Sequence, residues 1–384
     1  MSAGADMAAA PAPKARRAAS WREKWLVWRG RAIADPAFQR WAADNPFTRW
    51  VARRDMRALF DLVAGFVYSQ VLLACVRLDV FEALRGGPED LADLAVKFGL
   101  ETEPARRLLR AAASLRLLRA LPGDRFALGD LGAALLGDPS IGAFVEHHGL
   151  LYDDLRDPVA LLRGGATTRL SQFWPYAARS EAEVELERFA AYSTLMARSQ
   201  ETIARDVLDA YPWQRHRLLL DVGGGEGVFV AAAAARAPHL ALKLFDLPAV
   251  AARAQDRLRS FGGRIEAIGG DFLRDELPRG ADAISFLRVL HDHDDAAVAK
   301  LLRAAHDALP PGGVAIVAEP FAATPGAEPV GDAYFGMYLL AMGRGRARSA
   351  AELGAMLRAA GFRNIRVWPT RRPLLLGCLT GERV

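Results

Sequence analysis

The chain has 384 residues, of which 52% are hydrophobic and 25% charged, so its composition excludes a disordered protein and its length allows two domains. Its two cysteines, Cys75 and Cys378, are too few for a disulfide framework and do not cluster as zinc ligands do, which favours a reducing cytoplasm. The formal net charge of +5 is distributed unevenly along the chain.

Residues 1–55 are predicted to form a basic, tryptophan-rich arm. Its beginning is rich in Ala and Pro, lacks the apolar core of a signal peptide, and is expected to be disordered. Residues 14–55 contain eleven Lys or Arg against four acidic residues. Trp21, Trp25 and Trp28 have the i, i+4, i+7 spacing that places side chains on one helical face.

Two interpretations of the arm stay open. Indole prefers the boundary between water and hydrocarbon, and cationic side chains are attracted to anionic headgroups, so the arm has the composition of a peripheral membrane contact. The enzyme would then lie at the inner or photosynthetic membrane. Alternatively, the tryptophans pack on their own domain or on a second subunit. A nucleic-acid partner is not expected, because nothing in the arm resembles a base-reading module.

Residues 56–208 are predicted to form a mostly helical domain. The uncharged run Leu62–Val76 is too short to span a bilayer, so we expect it to be a buried helix. Residues 91–118 have the pattern of helix, turn, helix, and residues 119–136 that of a short hairpin followed by a helix. Together these elements predict a winged helix.

Three arginines on the second helix of this winged helix raise the question of DNA binding. Arg106, Arg107 and Arg110 have the spacing of a single helical region. They could contact DNA, or they could form a solvated helix face, which is the more common role of such a charge cluster.

Residues 209–384 are predicted to form an α/β domain with a doubly wound, mostly parallel sheet. Apolar runs at 218–222, 240–247, 283–290 and 314–319 are each followed by a helical stretch, and this alternation is typical of a parallel sheet with helices on both faces. The last two apolar runs, NIRVWP and LLLGCL, predict a closing hairpin.

A glycine-rich turn follows the first strand, in the sequence DVGGGEG. The dinucleotide fingerprint fails, because Val228 stands at its last position, and no P-loop Lys-Ser/Thr pair is present. The loop therefore suits a nucleoside cofactor without a pyrophosphate. Asp246 and Asp271 follow the next two strands, where they could accept from ribose hydroxyls and an adenine amino group. The alternatives are a helix cap for Asp246 and a turn for Asp271.

The segment HDHDD, residues 291–295, could hold a metal, a general base or a helix start. Metal ligation would need further convergent ligands, and only the remote pair His147 and His148 is available, so no metal is expected. Asp294 and Asp295 precede a strong helical pattern and are expected to cap it and occupy its first turn.

The motifs LLLDVGGGEG, FDLPAV, GGDF, RVLHDHDD and AGF, in this order, resemble those of the S-adenosylmethionine-dependent O-methyltransferases of the plant-caffeate and acetylserotonin type. The resemblance implies a class I methyltransferase fold, a winged-helix domain for dimerisation and substrate enclosure, a homodimer, and S-adenosyl-L-methionine as cofactor. It implies cofactor contacts at eight positions: Asp221, Gly223, Gly225, Asp246, Leu247, Asp271, Phe272 and Arg288.

The same resemblance implies that His291 is the general base, with Asp292 beside it and Glu319 orienting it. Such a base is chemically necessary, because an alcohol must lose its proton as the new bond to the methyl carbon forms. The chain departs from the family pattern twice. His293 replaces a tryptophan and is expected to be a pocket or packing residue. Ala347 replaces a second glutamate that supports the base.

Longer runs, such as VEHHGLLYDDLRDPVALLRG and GDAYFGMYLLAMGRGRARS, resemble the bacterial carotenoid O-methyltransferases of the demethylspheroidene type. This implies methylation of the tertiary 1-hydroxyl of an acyclic carotenoid, a lipophilic substrate that needs an apolar pocket. The alternatives are C-methylation of a bacteriochlorophyll precursor, or a winged-helix regulator that senses S-adenosylmethionine. Five residues are predicted to line the substrate site, with packing in the core or at a dimer interface as the equal alternative: Phe173, Trp174, Tyr176, Tyr338 and Met342.

Overall fold

The computed structural model describes residues 20–164, 167–173 and 200–384. Two of the predicted substrate residues, Trp174 and Tyr176, lie outside these ranges. The chain divides into two compact units, Met1–Leu72 and Leu73–Val384. The domain boundaries predicted after residues 55 and 208 stay a prediction.

The described part of the first unit, residues 20–72, is mostly helical and largely exposed. Helix α1 (Trp21–Ala34) begins with a capping box, in which the Ser20 hydroxyl accepts from the backbone of Glu23 and the Glu23 carboxylate accepts from the backbone of Ser20. Helix α2 (Pro36–Asp44) begins at Asp35, whose carboxylate caps it. Neither helix has a buried residue.

Helix α3 (Arg49–Arg77) contains the apolar run that was predicted to be buried. The helix is present, but its predicted burial is wrong: among the residues of α3 only Leu73 and Cys75 are buried, and Leu62 is 81% exposed. The helix extends well before the uncharged run, so within the described part of the chain α3 is long and apolar enough to cross a membrane. Apolar helices of soluble proteins also meet this criterion.

The second unit begins with the predicted winged helix. Strand β2 (Leu118–Leu121) and strand β3 (Arg125–Leu128) form the hairpin, and a short strand β1 (Glu89–Asp90) pairs with β3. The remaining helices of this region are α4 (Val80–Ala83), α5 (Leu91–Phe98), α6 (Thr102–Ser114) and α7 (Asp130–Leu136).

The three arginines of α6 are engaged by acidic neighbours. Arg106 forms an ion pair with Asp124 in the hairpin turn, Arg110 lies 3.5 Å from the same carboxylate, and Arg107 lies 3.3 Å from Glu103. This arrangement is that of a solvated, salt-bridged helix face rather than of side chains free to contact DNA phosphates.

Between the winged helix and the sheet domain, the described residues form four helices. They are α8 (Pro139–Asp154), α9 (Pro158–Arg163), α10 (Arg169–Phe173) and α11, which is described over 200–210.

The sheet domain has seven strands in the order β6-β5-β4-β7-β8-β10-β9. All pairs among the first five are parallel, and β10 is antiparallel to both of its neighbours, which confirms the predicted doubly wound sheet and closing hairpin. The strands are β4 (Leu218–Val222), β5 (Ala241–Asp246), β6 (Ile265–Gly269), β7 (Ala283–Leu287), β8 (Val314–Glu319), β9 (Arg363–Trp368) and β10 (Gly377–Glu382).

Helices pack on both faces of this sheet. Because side chains alternate along a strand, Leu219 joins the apolar core on one face and Leu220 the core on the other. These helices are α12 (Val228–Arg236), α13 (Pro248–Arg257), α14 (Asp295–Ala308) and α16 (Ala350–Ala359), whereas α15 (Gly336–Met342) packs against α8, α9 and α10.

The order of the strands reverses between β4 and β7, which lie side by side although β5 and β6 come between them in the chain. In open α/β sheets a ligand binds in the crevice outside the carboxyl ends of the strands at such a switch point. The glycine loop and the segment HDHDD both follow strands at this point.

Candidate active site

The glycine loop between β4 and α12 is built from backbone that only glycine adopts easily. Gly223, Gly225 and Gly227 have φ of 70°, 57° and 80°. A Cβ at Gly223 would lie 2.7 Å from Cγ2 of Val289, so the loop closes tightly onto the segment that carries the histidines. A Cβ at Gly225 would meet nothing within 4 Å. The loop therefore leaves open space at Gly225, where a ligand can approach the backbone.

Asp246, the last residue of β5, fastens this loop. One carboxylate oxygen accepts from the Gly225 N–H at 2.8 Å, and the other from the Leu247 N–H at 2.7 Å. Burial raises the pKa of Asp246 to about 6. Each oxygen keeps a further lone pair, so the predicted role toward two ribose hydroxyls is compatible with the geometry.

Asp221 lies under the loop rather than at its surface. Its carboxylate accepts from the Ser285 hydroxyl at 2.6 Å, and burial raises the pKa of Asp221 to about 7. The arrangement ties β4 to β7 across the switch point. A Cβ at Gly224 would lie 2.7 Å from this carboxylate, which explains why this position of the loop is also glycine.

Asp271 and Phe272 follow β6 and approach the histidine segment from the far side of the crevice. The Asp271 carboxylate accepts from the Leu273 N–H at 2.9 Å, so Asp271 stabilises a turn, as in the alternative interpretation of its role. The Phe272 ring contacts the His293 ring edge-on, with centroids 5.4 Å apart. His293 is therefore a packing partner beside the adenine position that the sequence predicts.

Strand β7 ends at Leu287, three residues earlier than predicted, because the backbone turns sharply there. Arg288 has φ of 55°, a conformation that is uncommon for a non-glycine residue. A short 3-10 turn, Leu290–Asp292, follows and carries His291. The strained residue thus converts the strand into a turn at the mouth of the crevice.

His291 is buried between two carboxylates. Its Nε2 lies 3.1 Å from Oδ1 of Asp292, and its backbone N–H donates to Oε2 of Glu319 at 3.0 Å. Within the described residues, His291 Nδ1 and Glu319 Oε1 are buried without a hydrogen-bond partner. Glu319 therefore contacts the main chain of His291 rather than the imidazole ring.

Burial and the neighbouring carboxylates shift the pKa of His291 in opposite directions. Burial lowers the pKa of the imidazole, but the carboxylates of Asp292 and Glu319 together raise it by more than burial lowers it, so the net shift is upward. Burial raises the pKa of the Glu319 carboxyl as well. The site therefore favours an imidazole that can accept a proton and hold it.

Arg348, which was not predicted, supports the turn that carries His291. It is fully buried, and its guanidinium donates to the carbonyls of Leu290 and His293 at 2.8 and 2.7 Å and to the carboxylate of Asp295. Arg348 belongs to the sequence Ala-Arg-Ser, which corresponds to Glu-Arg-Thr in the family, and this match was the sequence feature that could have identified it. Ala347, at the position of the missing glutamate, packs against apolar side chains.

The backbone next to Arg348 closes on the same turn. The Arg346 N–H donates to the His291 carbonyl at 2.9 Å. Gly345 has φ of 76°, and a Cβ there would lie 2.0 Å from that carbonyl oxygen. The capping roles predicted for Asp294 and Asp295 are also present, since Asp294 caps α14 and Asp295 lies in its first turn.

The predicted substrate residues within the described chain lie in an apolar cluster formed by α8, α9, α10 and α15. Tyr338 and Met342 are buried in it, and Phe173 packs against it. The Tyr338 hydroxyl lies 2.7 Å from Nε2 of His147. Core packing is therefore evident for these side chains, and their contact with substrate stays a prediction. The described residues contain no group of three or more His, Cys, Asp or Glu placed to hold a metal.

Comparisons with known proteins identify the family. The O-methyltransferase domain family matches residues 152–363, and the O-methyltransferase dimerisation domain matches residues 60–138. Demethylspheroidene O-methyltransferase of Cereibacter sphaeroides is 44% identical over 90% of this chain and 92% of its own length. The enzyme of the same name from Rhodobacter capsulatus is 41% identical over 88% and 85%.

Solved structures agree with this assignment. CalO1, a methyltransferase of calicheamicin biosynthesis in its S-adenosylhomocysteine-bound form, has a TM-score of 0.72 and is 26% identical, with 86% of this chain and 98% of that chain covered. The dimerisation match begins within α3, whose apolar surface is exposed in the single chain. The chain belongs to the S-adenosylmethionine-dependent O-methyltransferase family and carries that family's dimerisation domain.

Proposed function

We propose that this enzyme methylates the tertiary 1-hydroxyl of an acyclic carotenoid of the demethylspheroidene type, with His291 as the general base. The observation that carries the choice of reaction is the buried His291 at the switch point of the sheet, flanked by the carboxylates of Asp292 and Glu319. The choice of substrate rests on the two bacterial relatives, which match the chain over most of its length.

The cofactor supplies a methyl group already activated by its sulfonium. The open space at Gly225 and the buried Asp246 carboxylate support a ribose site there, and Phe272, which follows β6, would cover the adenine ring. Leu247, Asp271 and Arg288 follow the ends of β5, β6 and β7 and are proposed to contact the cofactor, while Asp221 would support the glycine loop from beneath.

His291 removes the hydroxyl proton as the oxygen attacks the methyl carbon. A free alkoxide is not accessible at neutral pH, so the proton must leave in the transition state. The imidazolium that forms is stabilised by Asp292 at Nε2, while Glu319 holds the main chain of the turn through the His291 N–H. Alignment of oxygen, carbon and sulfur contributes the remaining gain.

Transfer of labelled methyl from S-adenosylmethionine to purified carotenoids tests this proposal. We expect demethylspheroidene to accept label, and expect a bacteriochlorophyllide and N-acetylserotonin to accept little. Label on a macrocycle carbon would instead favour C-methylation, and no transfer to any acceptor would favour a regulator. The engagement of Arg106 and Arg110 by Asp124 counts against a regulator that reads DNA.

We further propose that the arm contacts an anionic membrane surface, where a carotenoid substrate would be dissolved. Trp21 is 80% and Trp28 66% exposed, and Phe47 is 86% exposed. The guanidiniums of Arg29 and Arg54 lie 5.8 and 5.9 Å from the ring centroids of neighbouring tryptophans. This combination of exposed indole and cationic side chains suits the interface between headgroups and acyl chains.

Full-length protein with both Trp21→Ser and Trp28→Ser is expected to bind phosphatidylglycerol vesicles about tenfold more weakly, because less apolar surface enters the interface. Co-sedimentation measures the binding. A protein with Val96→Ser and Val367→Ser, two exposed apolar positions outside the arm, is the control and should bind normally. Equal binding by both doubly substituted proteins would refute the membrane role. So would a loss of dimer mass in the tryptophan-substituted protein with unchanged vesicle binding.

A further inference from the structure

A π-helical turn, Pro329–Phe335, precedes α15 and brings an aromatic ring to His291. π-helical turns are rare and are frequently found at functional sites. The ring of Phe335 lies nearly parallel to the imidazole of His291, with centroids 6.0 Å apart and an interplanar angle of 26°. Phe335 is only half-buried, so one part of its surface faces the imidazole and another is open.

Hydrogen bonds on both sides of Phe335 fasten this turn to α8. His148 Nδ1 lies 2.6 Å from the Phe144 carbonyl, which can only accept, so Nδ1 carries the proton of the neutral ring. His148 Nε2 then accepts from the Tyr334 hydroxyl at 2.9 Å. On the other side, the Tyr338 hydroxyl lies 2.7 Å from Nε2 of His147.

Burial keeps both histidines neutral, which this hydrogen-bond arrangement requires. It lowers the pKa of His147 to about 4 and also lowers that of His148. The backbone around Phe335 is therefore held to α8 at two points, by tyrosine hydroxyl bonds to two histidines whose burial favours the neutral form.

We propose that Phe335 is a positioning residue for His291: its ring restricts rotation of the imidazole and keeps water from that face of the base. The Tyr334–His148 and Tyr338–His147 bonds set its place. This inference rests on the proposed role of His291 as the base. It assigns to an apolar side chain a function in proton transfer that the motif residues alone do not supply.

Removing the Phe335 ring would change the pKa of His291 in two opposing ways, and comparing them gives the direction of the net change. An aromatic face attracts an imidazolium, but 6.0 Å is at the outer limit of about 6 Å for that attraction. Burial is the largest single influence on the imidazole and disfavours its charge. The charged or titratable groups that face it are Asp292, Glu319, Arg288 and His293. None is altered when the ring is removed, so hydration decides the sign.

Phe335→Leu is expected to move the acidic limb of the kcat/KM profile to higher pH, because a better-hydrated imidazole holds its proton more strongly. We expect kcat at neutral pH to fall about tenfold, since a loosely oriented base transfers protons less effectively, with the affinity for S-adenosylhomocysteine unchanged. Phe335→Tyr keeps the ring and should restore the limb. Labelled methyl transfer over a pH series and calorimetry give these values.

Phe362→Leu is the matched control, because Phe362 contacts a different histidine, His306, and neither Tyr334 nor His148. It should leave the acidic limb in place even if it lowers stability. The inference is overturned if Phe335→Leu gives the same limb as the unaltered enzyme, or if Phe362→Leu moves the limb as far as Phe335→Leu does. If His291→Ala abolishes transfer while Phe335→Leu leaves the limb unmoved, only the role of Phe335 fails. If His291→Ala retains the limb, the proposed base fails as well.

Discussion

Replacing His291 with alanine is expected to lower kcat for methyl transfer by about a hundredfold or more, because a positioned general base contributes about 10²–10⁴ in rate. The affinity for S-adenosylhomocysteine should stay nearly unchanged, since the groups proposed to hold the ribose and adenine lie on the glycine loop, at the end of β5 and after β6. The acidic limb of the pH profile, expected above the ordinary imidazole value of 6.5, should disappear. Rates with labelled cofactor and binding calorimetry measure both quantities.

Asp246→Ala is expected to weaken cofactor binding and to leave the base in place, the opposite of the result expected for His291→Ala. It removes the acceptor for the Gly225 and Leu247 N–H groups, so binding of the cofactor should weaken while the base stays intact. His239→Ala, on the far end of the sheet near Trp213, controls for loss of any histidine. Turnover of His291→Ala within a few fold of the unaltered enzyme would exclude this residue as the base.

Arg348→Met is expected to lower the free energy of unfolding by about 3 kcal/mol, because each buried carbonyl left without a donor costs roughly 1–3 kcal/mol. The carbonyls of Leu290 and His293 lose their donors together. Because these residues flank His291, kcat should also fall. Arg346→Met is the control: Arg346 shares the acid Asp295 but is exposed, so its loss should cost under about 1 kcal/mol.

Urea unfolding followed by circular dichroism gives both free energies. Similar losses for the two arginine substitutions would contradict a special role for Arg348, and so would a destabilised Arg348→Met enzyme with unaltered kcat. Normal stability combined with lowered kcat would instead indicate a local displacement of the turn.

The sheet could be predicted because its signals are local. Apolar runs followed by helical stretches identified β4, β5, β7 and β8, and the hairpin of β9 and β10 followed from its two apolar runs. Burial of α3 could not be predicted in the same way, since the pattern of a helix shows which face is apolar but not which surface covers it. For the same reason the arm's two interpretations remain distinct proposals.

The residues of the candidate site that belong to a sequence motif could be predicted. Those that reach the site from a distant segment of the chain could not. His291, Asp246 and the glycines follow strands directly, so their meeting at the switch point follows from topology. Arg348 and Phe335 reach the base from a segment more than forty residues later in the chain. No periodicity links them to it, because their positions depend on the π-helical turn and on the left-handed backbone at Gly345.

The strand order at the far side of the sheet constrains the sequence of folding events. Strand β9 precedes β10 in the chain, yet β10 lies between β8 and β9. While the polypeptide emerges from the ribosome, β9 therefore has no partner, and β8 presents an open hydrogen-bonding edge until Gly377–Glu382 become available. Nascent chains that stall before this point should be strong clients for chaperones that recognise unpaired strands.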